Sequence, residues 1–112
     1  MKRRTFALAI GLGVAALLAP RFALAEDPLA EAISETKEAI DHGKRGHTDM
    51  LATHAEAALQ RALAAETAKA NPHTKEAIAD LKASIDEEKK RHAEEAIGHA
   101  EGALIHLKAA RK

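Results

Sequence analysis

The sequence predicts an all-α protein, an up-down four-helix bundle built from two duplicated αα-hairpins and preceded by a signal peptide. Three observations carry this expectation. A shift of 45 residues lays Glu31-Ala32-Ile33 on Glu76-Ala77-Ile78, Ile40-Asp41 on Ile85-Asp86, His47 on His92, and His54-Ala55-Glu56 on His99-Ala100-Glu101, an internal repeat. Within the repeats glycine and proline are scarce, Ala, Glu and Lys dominate, and apolar residues recur at intervals of three and four, the period of a helix with one buried face. Asp27-Pro28 and Asn71-Pro72 then supply matching starts, with an oxygen acceptor at the N-cap and proline at the first helical position.

Residues 1–25 read as a signal peptide. Lys2, Arg3 and Arg4 precede an apolar run from Phe6 to Ala19, and Ala23-Leu24-Ala25 offers a small-residue cleavage pattern before Glu26. The run is shorter than the about twenty residues that span a bilayer, so the mature chain is expected to have no stable membrane insertion. Arg3-Arg4-Thr5-Phe6 also resembles a twin-arginine signal, which leaves the Sec and twin-arginine routes both open and predicts a periplasmic location. The mature domain is expected to be residues 26–112, with repeat units at about 28–70 and 73–110.

Each unit should hold two helices. In the first, Gly43-Lys44-Arg45-Gly46 follows His42, and Thr48 is placed to cap the next helix. The second unit lacks those glycines, but its phase demands a break. The stripe Ile78, Leu81, Ile85 extends at heptad spacing onto Glu88, His92, Glu95 and His99, whereas the next apolar stripe is Ala93, Ala96/Ile97, Ala100, Leu104 and Leu107. One straight helix cannot bury both, so the expected helices are 28–42, 48–70, 73–87 and 91–110. The basic clusters Lys44-Arg45 and Lys89-Lys90-Arg91 read as complements to helix C-terminal dipoles.

Composition narrows the function. The 17 basic and 17 acidic residues balance in the full chain, but loss of Lys2, Arg3, Arg4 and Arg21 with the leader leaves an acidic excess and argues against a nucleic-acid partner. There is no cysteine, hence no disulfide, no thiol nucleophile and no Cys-x-x-Cys-His haem attachment. Both phenylalanines lie in the leader, leaving six Ile, seven Leu and Met50 among alanines to form a thin core. No glycine-rich phosphate loop occurs, and no histidine has a glutamate three residues before it as carboxylate-bridged di-iron bundles require, so an enzyme is not expected.

The chemistry lies in seven histidines. His92, His99 and His106 recur every seven residues, and His47 and His54 take the same step one repeat earlier. Seven residues are nearly two helical turns, so each set shares a face, and imidazole is the commonest metal-ligating side chain. Consecutive rungs stand about 10 Å apart at 1.5 Å per residue, while a metal holds nitrogen at about 2 Å. No two rungs share an ion. Each needs co-ligands from elsewhere, which predicts several incomplete sites that take up metal only while imidazole is neutral, above a pH of about 6.5.

Three constellations follow. At the turns, His42 and His47 are expected to approach Glu87 and His92. Along the fourth helix, Glu88, His92, Glu95 and His99 alternate at spacings of four, three and four; Met50 replaces Glu95 in the first unit, a thioether that would favour cuprous copper or fill a gap in the core. At the far end His73, one turn before Glu76, is offered as a partner for His106 near the end of the fourth helix; Arg61 replaces that rung in the first unit, which ranks this end last of the three. The candidate metal ligands are thus His42, His47, His54, His73, His92, Glu95, His99 and His106. The contrary reading is a structural or adaptor bundle whose histidines sit half exposed beside the helix seam, respond to pH and bind no metal.

The segment Ile40-Asp41-His42-Gly43-Lys44-Arg45-Gly46-His47-Thr48-Asp49, followed by His54-Ala55-Glu56, resembles the small metal-binding protein family. The resemblance covers nearly all of the mature chain. It implies a periplasmic four-helix bundle that takes up several divalent ions, Cu(2+) foremost with Ni(2+) or Zn(2+) as alternatives, and it nominates His42, His47, His54, His92, His99 and His106. Two departures stand out: the second turn has lost its glycines, and Glu87 replaces a repeated histidine.

Overall fold

The computed structural model describes residues 27–112; the signal-peptide reading of residues 1–25 lies outside them. Four helices and no strand occur among the described residues: α1 (Pro28–Lys44), α2 (Thr48–Ala68), α3 (Pro72–Lys89) and α4 (Ala93–Ala110). Each helix packs on two neighbours, α1 on α2 and α4, and α3 on α2 and α4, which closes the up-down ring. The four expected helices are all present, with no end displaced by more than two residues.

The two helix starts behave as their sequence implies. Asp27 accepts from the Leu29 N–H at 3.0 Å and Asn71 from the His73 N–H at 2.8 Å, each beside a proline in the first turn. The other two differ from expectation. His47, rather than Thr48, occupies the N-cap of α2, and His92 that of α4, which starts two residues later than expected; neither makes a side-chain capping bond.

The reason lies in how α1 and α3 end. His47 N–H donates to His42 O at 2.8 Å and Gly46 N–H to Gly43 O at 3.0 Å; one repeat later, His92 N–H donates to Glu87 O at 2.8 Å and Arg91 N–H to Glu88 O at 2.9 Å. These are two copies of the Schellman closure, which needs a left-handed residue just past the helix end. Gly46 supplies it at φ 86°, and Arg91 does so at φ 65°. The second turn therefore keeps the first turn's geometry without its glycine, at a conformational cost of about 1–2 kcal/mol for a residue bearing a Cβ. Arg91→Gly should raise stability by about 0.5–1 kcal/mol after the entropy of a freer unfolded chain is deducted. Thermal unfolding followed by circular dichroism checks this, and a lower melting point would contradict it.

Gly43 is a packing residue and not a terminator. α1 continues through it to Lys44, and a Cβ there would stand 2.5 Å from Leu51 Cδ1 and 2.9 Å from Ile97 Cγ1. The basic clusters lie where the dipole argument puts them. Lys44 and Lys89 close the last turns of α1 and α3, while Arg45 pairs with Asp41 at 2.8 Å and Lys90 with Asp86 at 3.1 Å.

The core is small and its repeats complement one another. Leu51, Leu81 and Leu107 are fully buried; their counterparts 45 residues away are Ala96, Thr36 and Ala62, also fully buried. A large residue in one hairpin is thus matched by a small one in the other, which fits four helices around one axis. Two buried hydroxyls are satisfied within this core: Thr36 donates to Ala32 O at 2.7 Å, and Ser84 on α3 to Ala96 O on α4, also at 2.7 Å. Met50 does not fill the core; it is 39% exposed on α2.

Candidate metal centres

A histidine that caps a helix without using its ring leaves the ring available for other partners. His47 turns back to His42, Nδ1 to Nδ1 at 3.5 Å, and His92 turns back to Glu87, Nδ1 to Oε1 at 2.8 Å. Each turn therefore closes on its own hairpin. The expected union of His42, His47, Glu87 and His92 into one ligand group does not form among the described residues. A cleft of about 390 Å³, lined by Thr48, Asp49, Glu88, Lys89, Arg91 and Ala93, lies between the two turns.

One compact group forms within the first hairpin. Glu38 and His42 project from α1 and His54 from α2, with ligand atoms all within 4.8 Å of one another. His42 Nε2 lies 3.9 Å from Glu38 Oε1, and the rings of His42 and His54 stack with centroids 5.2 Å apart and planes 4° from parallel. Donor atoms around a tetrahedral ion with bonds of about 2 Å stand about 3.3 Å apart, so the set closes on an ion by a small contraction. Parallel rings must also turn to aim both lone pairs at one point. The χ2 torsion of histidine is soft, and both side chains are partly open to solvent.

The second group lies within the other hairpin, at the opposite end of the bundle. His73 and Glu76 of α3 meet His106 of α4, again within 4.8 Å. His106 Nδ1 is 3.1 Å from Glu76 Oε1, and its ring stacks on His73 at 5.9 Å. The first hairpin has lost this group, because Arg61 reaches Glu31 at 3.1 Å in the equivalent place and a fixed guanidinium takes the position of an imidazole. The His54 and His106 levels differ by about two turns, or about 10 Å of helix axis, so the groups are independent.

The remaining candidates are less gathered. His99 Nδ1 stands 3.6 Å from Asp80, and His92 has Glu87 alone among the ion-pair partners found. Glu95 is exposed and belongs to neither group. Its expected alternation with Glu88, His92 and His99 is interrupted because Glu88 lies in the last turn of α3 and His92 precedes α4, so only Glu95 and His99 share a helix.

The partners that sequence reading missed are Glu35, Glu38 and Asp80. Their signal was present: Glu31, Glu35, Glu38 and His42 are spaced four, three and four, which sets an acidic ladder on one face of α1. Glu76 and Asp80 repeat it on α3. In each hairpin an acidic ladder on the first helix faces an imidazole ladder on the second. The donor set is nitrogen and oxygen without sulfur, suited to borderline divalent ions such as Cu(2+), Ni(2+) and Zn(2+). Two nitrogens and one oxygen leave coordination positions open to water, so a held ion remains exchangeable.

No curated protein matches the chain. A family model described as "Small metal-binding protein" matches residues 2–110.

Proposed function

The chain belongs to the small metal-binding protein family, and on that premise we propose that it is a periplasmic buffer or scavenger of divalent metal ions, Cu(2+) foremost and Ni(2+) or Zn(2+) as alternatives. The observation that carries this reading is the convergence of Glu38, His42 and His54 from two helices, repeated in kind by His73, Glu76 and His106. Both groups are partly open, which suits loading and unloading better than permanent structural retention. The export signal read in residues 1–25 supports the compartment, and no helix among the described residues is long and apolar enough to cross a membrane.

Calorimetric titration of the chain with Cu(II), Ni(II) and Zn(II) at neutral pH tests this reading. Saturable heat is expected for two ions, strongest for Cu(II) in keeping with the general affinity order. Ligating imidazoles must be neutral, so uptake should fade as pH drops through the ordinary imidazole range, about 6.5, and protons take the nitrogens. Absence of heat and of competition with a chelator at neutral pH would remove the proposal.

A further inference from the structure

His54 has a partner that lies outside both ligand groups. Its Nδ1 is 2.7 Å from Glu35 Oε1, the length of a charge-assisted hydrogen bond, and both side chains are about two-thirds or more withdrawn from solvent at 22% and 32% exposure. An ionised carboxylate only accepts, so Nδ1 carries the proton and donates. A neutral imidazole has one N–H, and Nε2 is therefore the nitrogen with a free lone pair. Glu35 and Glu38 are almost one turn apart on α1, yet only Glu38 joins His42 and His54 in the group of three.

The repeat provides an internal comparison. Asp80 occupies the place of Glu35 and His99 that of His54, but their separation is 3.6 Å, beyond a hydrogen bond. Aspartate is one methylene shorter, and the Asp80 carboxylate lies against α4 where Gly102 leaves room: a Cβ on that glycine would be 3.0 Å from Oδ2. His99 joins no group of three among the described residues. At these two equivalent positions, His54 has both the hydrogen bond and a place among gathered ligands, and His99 has neither.

Resting on the metal-binding reading above, we propose that Glu35 is a positioning residue that holds His54 in its Nδ1–H tautomer and presents Nε2 to the ion. The carboxylate fixes the ring's direction and strengthens Nε2 as a donor, as outer partners of ligating histidines do. Asp80 falls short of the same task, so the two hairpins differ in readiness: His54 is set before metal arrives and His99 is not.

Nitrogen-15 NMR of the full chain without metal, at mildly alkaline pH, combined with Zn(II) calorimetry, tests the assignment. The native His54 should report the Nδ1–H tautomer, and Glu35→Ala should return it towards the Nε2–H form that a free side chain prefers. Zinc affinity at the His54 site should fall about 10–100-fold. Glu35→Gln keeps an acceptor oxygen and should keep the tautomer with a smaller loss, while Asp80→Glu should bring His99 to the Nδ1–H form. An unchanged His54 tautomer or unchanged zinc affinity in Glu35→Ala, with the native chain binding zinc normally, would overturn this inference alone. No zinc uptake by the native chain would overturn the binding reading and this inference with it.

Discussion

Replacement of His42 and His54 together by glutamine should abolish one of the two ion-binding events and leave the other intact. Glutamine has similar bulk and an amide that still donates towards Glu35, but it has no ring nitrogen lone pair. Only Glu38 would remain of the first group, as a single carboxylate at the protein surface. Loss of an outer partner costs about 10–100-fold in affinity, so loss of two direct ligands should exceed roughly a hundredfold and put the site beyond measurement. The helices should survive, because both side chains border the core without belonging to it. Calorimetry should read a stoichiometry reduced by one ion with helical circular dichroism retained. Unchanged stoichiometry would place the ion elsewhere.

Metal should raise the melting temperature by at least about 10 °C. An ion that binds only the folded chain at a hundredfold excess over its dissociation constant adds about 2.7 kcal/mol. In a domain of this size each kcal/mol moves the midpoint by about 4–8 °C. The effect is large because the native margin is small: the fully buried core is mostly alanine, with Leu51, Leu81 and Leu107 as its only fully buried large apolar residues among those described. Each group ties the two helices of one hairpin, α1 to α2 and α3 to α4, so occupancy closes the supersecondary unit that the sequence repeats. Chelator should return the midpoint to its starting value, and the His42→Gln, His54→Gln double variant should retain only part of the gain. A melting curve insensitive to saturating Cu(II) would contradict this account of stability.

Much of the fold was legible because it rests on local rules. Asp27-Pro28 and Asn71-Pro72 announced two helix starts, the 45-residue shift announced the duplication, and the mismatch of apolar stripes announced a break near residue 90. The cause of that break was hidden. Glycine advertises a left-handed turn, whereas Arg91 adopts one within the closure formed by the His92 N–H to Glu87 O and Arg91 N–H to Glu88 O bonds, against its local propensity.

The site was legible by residue type and less so by partnership. Seven-residue spacing identified which imidazoles share a face, and the rise per residue excluded one ion between rungs, but neither fixes which neighbouring helix supplies the co-ligand. Glu38 was overlooked because the reading followed histidines along α2 and α4, while the answering carboxylates stand at positions 31, 35, 38, 76 and 80 of the preceding helices. The His73 and His106 pairing, which sequence could only suggest from their shared end of the bundle, is one of the two groups with three gathered ligands. The turn group failed to join for a geometric reason: each hairpin turn spans one edge of a four-helix square, and a cleft lies between the two edges.

The central claim concerns position, so the most direct measurement is anomalous diffraction at the copper edge from crystals of the chain soaked in Cu(II). The account predicts one peak between Glu38, His42 and His54 and another among His73, Glu76 and His106, with the His42 and His54 rings turned out of parallel to meet the first. Copper scattered over exposed carboxylates such as Glu95, with both imidazole pairs left stacked and no peak between them, would contradict it.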